Sequence, residues 1–72
     1  MTIESVIQQI EDIRLEVAKK HTAVTSIVSE YMESENITTK HKVDIIDFLS
    51  NVTLNFRKSI KALQDLKDVI RE

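Results

Sequence analysis

A chain of 72 residues with no Gly and no Pro lacks the two residues on which most tight turns depend, and it has no Cys and no Trp either. Its fold is expected to be all-α. A seven-residue repeat supports this: Ile3, Ile10, Val17, Val24 and Tyr31 share one register, a spacing that winds a single apolar stripe along a helix. With these residues at position a, the d positions are Val6, Ile13, Lys20 and Ile27, and Ile7 and Val28 widen the stripe through e. Gln8, Gln9, Glu11, Asp12, Glu16 and Lys19 are expected on the opposite face. A first helix is predicted from about residue 3 to 34, with Thr2 as its N-cap and Glu4 at the positive end of its dipole.

A second periodic segment places Leu49, Phe56, Leu63 and Ile70 seven apart, with Ile45, Val52 and Leu66 on one flank and Phe48, Ala62 and Val69 on the other. This stripe is wider than a two-helix seam needs, so more than one neighbouring helix is expected. Residues 34–42 between the segments are polar apart from Ile37. Asn36 suits a helix end, and Thr38 or Thr39 suits the start of the next helix. The prediction is one domain spanning 1–72, a two-helix antiparallel hairpin with a loop at about 35–39 and a second helix at about 40–71. One long coiled-coil helix is the alternative, because the register of Ile3, Val24 and Tyr31 runs on through Thr38 to Ile45, Val52 and Leu66 without a phase break.

At 8.3 kDa a single core struggles to outweigh chain entropy without a disulfide, a metal or association. With no Cys, and only His21 and His41 as nitrogen ligands, association is the expected remedy. Two hairpins are therefore expected to form a four-helix bundle around Phe48, Leu49, Val52, Phe56, Leu63 and Ile70. No metal or cofactor is expected. A hairpin folded near Ile37 pairs residues whose numbers sum to about 74, so Lys20 and His21 face Thr53 and Leu54. Lys20 is expected to lay its stem on the core, carry its ammonium to water and pair with Glu16 one turn earlier.

Catalytic chemistry finds no footing. A phosphate-cradling loop needs Gly, no nucleophile elbow is present, and neither His lies in a Glu-x-x-His or His-x-x-x-His pattern. The stretch Ile10-Glu11-Asp12-Ile13-Arg14 resembles the opening helix of the small helical chorismate mutases over five residues. Ala18, Thr22 and Ala23 stand where that family's acidic and basic residues should follow, and there is no room for its third helix, so no enzyme is expected. The net charge of -2 exerts no bulk pull on nucleic acid or anionic lipid. No apolar run approaches a membrane span and the first residues carry no export signal, so a cytoplasmic protein without membrane contact is expected.

Two surfaces are candidates for function. Arg57, Lys58 and Lys61 on the second helix, with Lys19 and Lys20 at a similar height on the first, are expected to form a basic belt flanked by acids. Hairpin dimers of the Rop type bind RNA on a similar architecture, an analogy of fold alone. At the tip, Lys40, His41 and Lys42 occupy a first turn where the dipole disfavours cations, while Glu30, Glu33 and Glu35 crowd a last turn where it disfavours anions. Each group is expected to relieve the other across the loop. Leu15, Met32 and Leu54 fall outside the main stripes and extend the apolar surface. The expected partners are a second copy and another protein. The expected role is a non-catalytic adaptor, inhibitor or scaffold. The alternatives are a nucleic-acid-binding hairpin dimer that uses the belt and a coiled-coil subunit of a larger complex.

Overall fold

A computed structural model describes residues 1–34 and 36–72. It contains two helices, α1 (Ile3–Ser34) and α2 (Thr39–Arg71), with no strand among the described residues. Each helix starts on a threonine. Thr2 Oγ1 accepts a hydrogen bond from the Ser5 amide at 3.1 Å, and Thr38 Oγ1 accepts one from the His41 amide at 3.1 Å. Both caps satisfy amides that a first turn leaves without an intrahelical partner. Thr38 is extended, at φ -69° and ψ 157°, and this departure from helical backbone ends the continuous register that an unbroken coiled coil requires. The single long helix does not form. α2 begins one residue earlier than expected, and Glu35, in the expected loop, lies outside the described residues.

The helices run antiparallel. Contacts across the seam join His21 to Thr53 near the middle and Glu11 to Lys67 nearer the termini, pairs whose numbers sum to 74 and 78. The larger sum belongs to the pair with the longer side chains, which carry the tilt of each helix further along the axis. Each side chain tilts towards the N-terminus of its own helix, and in an antiparallel pair those tilts converge.

The seam differs from a simple a/d zipper. On α1 the half-buried residues include Ile10, Val17 and Val24 at a, Ile7, Arg14, His21 and Val28 at e, and Glu11, Ala18 and Thr25 beyond them. Of the d column Val6 is half-buried, whereas Ile13, Lys20 and Ile27 are left outside, with Ile13 and Ile27 exposed at 55% and 65%. On α2 the seam is Ile45, Leu49, Val52, Phe56, Ile60, Leu63, Lys67 and Ile70, all but Lys67 half-buried. Five of the six residues expected in an oligomer core therefore already contact α1 within one chain, whereas Phe48 stands 72% exposed. No apolar residue is fully buried among the described residues, and Lys67, at 6%, is the one buried residue there. The cause is geometric: two helices meet along one line, and enclosing a side chain takes a third wall. The Cα framework measures 53 × 17 × 10 Å, one helix pair wide and one helix thick.

Candidate functional site

The seam carries two polar contacts. At mid-height His21 Nε2 lies 3.0 Å from Thr53 Oγ1, and the His21 ring rests against Phe56 with centroids 5.3 Å apart. Thr25 Oγ1 donates to the His21 carbonyl at 3.1 Å, bonding back along its own turn. A polar contact thus lies at mid-seam, made by His21 and Thr53. Lys20 turns outward as expected, its ammonium 3.9 Å from Glu16 Oε1. Because that pair is exposed, Lys20→Leu is expected to change stability by less than about 1 kcal/mol. Thermal denaturation measures this, and a large loss would reveal a contact beyond Glu16.

The second contact escaped the sequence reading. Lys67 Nζ donates to Glu11 Oε2, and Arg14 donates to both oxygens of the same carboxylate, with its Nε 2.9 Å from Oε2. A carboxylate between two cations is held in its charged form. The Arg14 hydrogen bonds, and then that of Lys67, lower the Glu11 pKa from 4.5 to about 2. Glu11 in turn raises the Arg14 pKa. A signal for Lys67 was available, since Ile60, Leu63, Lys67 and Ile70 follow the 3-4-3 spacing of a buried stripe with one cation among apolar residues.

The apolar surface divides between the two sides of the hairpin. On one side a groove runs between the helices, lined by Val24, Val28, Ile45, Phe48, Leu49 and Val52, with His41 and Asp44 at the end nearer the tip. Towards mid-height Val17, Val52, Asn55, Phe56 and Ser59 line its continuation. The a column of α1 forms one wall, so the exposed d residues flank that wall. Phe48 and Leu66, both exposed, share the same azimuth on α2 because they lie eighteen residues, about five turns, apart. On α2 a separate depression is lined by Ile46, Ser50, Thr53, Leu54 and Arg57. Arg57 is nine residues from Phe48, roughly half a rotation, and so faces the opposite side.

That division splits the belt. Lys20 lies on the groove side beside Ile13 and Ile27, whereas Arg57 lies on the opposite side, and Lys19, Lys58 and Lys61 are exposed. Lys61 Nζ lies 3.2 Å from Asp65 Oδ2. Lys20 and Lys61 thus have carboxylate neighbours, and among the described residues Lys19, Arg57 and Lys58 make no ion pair. At the tip Lys40, His41 and Lys42 are exposed, and no cross-loop pair with Glu30 or Glu33 forms among the described residues. The Thr38 cap offsets part of the dipole mismatch there.

Among the described residues no group of three His, Asp or Glu converges as metal ligands, and no helix is long and apolar enough to cross a membrane. Comparison with protein-family models, with curated proteins and with solved structures finds no match to this chain. The arrangement presents two apolar surfaces: a groove on one side and, on the other, a depression edged by a guanidinium.

Proposed function

We propose that the protein acts without catalysis, as a small interaction or regulatory protein of adaptor, inhibitor or scaffold type that presents helix surfaces to a larger protein. The supporting observation is the two-sided exposure of apolar side chains. Ile13, Ile27, Phe48 and Leu66 stand open around the groove, and Ile46 and Leu54 stand open on the opposite side. A rigid helix pair presents such residues at fixed spacing, which limits the ordering entropy lost on binding. The test is capture of partners from the native host by the wild type and by Leu54→Glu, an exposed substitution outside the seam. The expected result is one defined protein bound in simple stoichiometry by the wild type and lost with the variant. Recovery of nucleic acid instead, visible as excess ultraviolet absorbance over a protein with no Trp and one Tyr, would overturn the proposal.

The nucleic-acid reading makes its own prediction. Arg57, Lys58 and Lys61 replaced together by Gln should leave helicity unchanged, since all three are exposed. Wild-type binding to mixed RNA or DNA is expected to be undetectable at physiological salt. The cations face different sides, two have carboxylate neighbours, and a duplex needs several phosphate contacts on one surface. Salt-sensitive binding by the wild type that is lost in the triple variant would favour the belt.

A further inference from the structure

We propose that the groove side is covered by the groove side of a second copy, related by a two-fold axis perpendicular to the helices. In the resulting four-helix bundle α1 lies antiparallel on α1 of the copy, and α2 on α2. The proposal rests on the interaction reading above and names the occupant of one of the two surfaces.

The first support is continuity. Val24, Leu49 and Val52 line both the seam and the groove, so each already contacts the other helix and lacks only a wall on the open side. The exposed d residues lie beside that opening. A heptad stripe with a and d both apolar matches a neighbour of the same repeat, and within one chain Ile13 and Ile27 of the d column are not engaged.

The second support is register. When two α1 helices overlap fully in antiparallel fashion, the end residues 3 and 34 meet, and facing residues sum to 37. Ile10 then meets the partner's Ile27, Ile13 meets the partner's Val24, and Val6 meets the partner's Tyr31. Every pair is an a residue on a d residue. The hairpin's own pairing, with sums between 74 and 78, carries the same axis across α2 between about residues 55 and 60, so facing α2 residues sum to between about 111 and 119, a range that includes 114. Phe48 then meets the partner's Leu66, and Val52 meets the partner's Ala62. A register that sets apolar residues of both stripes on one another about a single axis therefore lies within the range the hairpin's pairing allows, with Asn55 on the partner's Ser59 as the polar layer of α2 nearest the axis.

Charge and area agree. Near the axis the d residue Lys20 meets the partner's Val17 and lies beside the partner's Glu16. The exposed Glu16 and Lys20 pair thus closes with its copy into a ring of alternating charge. The face measures 53 by 17 Å between Cα atoms, roughly 900 Å² in outline, against the approximately 800 Å² per partner that a stable interface buries.

Sedimentation equilibrium on the full chain provides the test. The wild type should sediment at twice 8.3 kDa. Ile27→Glu, on the open d column, should weaken association at least about 100-fold with helicity retained, while Leu15→Glu, on the other side of α1, should leave the dimer intact. Because the chain has no Cys, register is read by oxidation: Ile10→Cys mixed with Ile27→Cys should give a covalent dimer that neither forms alone. A folded wild-type monomer, a dimer indifferent to Ile27→Glu, or cross-linking by Ile10→Cys alone would overturn the proposal. A folded monomer that still captures a protein through Leu54 would leave the interaction reading standing and assign the groove to a different chain.

Discussion

Phe56→Ala is expected to leave the hairpin largely unfolded at room temperature. Phe56 lies at mid-seam, its ring against His21 and its edge exposed in the groove beside Val17 and Val52. Truncating a core Phe costs about 3–5 kcal/mol, and the half-burial of this ring places it near the lower end, at about 3 kcal/mol. A domain of this size has about that much stability to lose. The loss is concentrated because no other Phe or Tyr reaches the seam: Phe48 is exposed and Tyr31 is 44% exposed. Circular dichroism in urea measures the effect. A midpoint close to that of the wild type would show that the helices are held mainly by the flanking aliphatic layers.

The second large effect is on acid stability. Glu11 ordinarily titrates at 4.5 and here at about 2, so the folded state favours its ionised form. A lowered carboxylate pKa contributes stability that is fully present above the ordinary value and is lost as pH falls through 4.5 towards 2. The thermal midpoint of the wild type should therefore drop across that window. Glu11→Gln should remove this contribution to the drop and start from a lower midpoint at neutral pH, because the buried Lys67 ammonium then faces a neutral amide. Lys67→Met should differ, staying within about 1 kcal/mol of the wild type at neutral pH by replacing the cation with a side chain of similar shape. Since Arg14 is the larger cause of the shift, the acid sensitivity should be weakened in Lys67→Met and weakened further in Arg14→Met. An unchanged pH profile in Glu11→Gln would assign acid sensitivity to other carboxylates.

The two helices, their threonine caps and the approximate pairing number follow from local rules. Thr2 and Thr38 each precede a periodic run, and a fold near Ile37 sets His21 opposite Thr53 whatever the detailed packing. The outward course of Lys20 to Glu16 is likewise local, because residues four apart on a helix are neighbours. The candidate surfaces were only partly legible. Their residues could be named, but whether Lys20 and Arg57 share a face depends on where the partner helix sits, and it sits so as to separate them.

What the linear pattern left open is how a wide apolar stripe is shared. A stripe spanning a, d and e records the total of a helix's apolar neighbours without saying which column meets which one, so Ile13 and Ile27 were as eligible for the seam as Val17 and Val24. Sequence alone therefore determined the two amphipathic helical stretches and their approximate ends, which rest on interactions within a few residues, while the extended backbone at Thr38 decided between a hairpin and one continuous helix. Only the tertiary structure decided that α1 packs through a and e, that Lys67 is buried against the Glu11 carboxylate that Arg14 also holds, and that Ile13, Ile27 and Phe48 stay open. Those outcomes depend on the rotation of each helix about its axis, a quantity set jointly by both helices and encoded by neither alone.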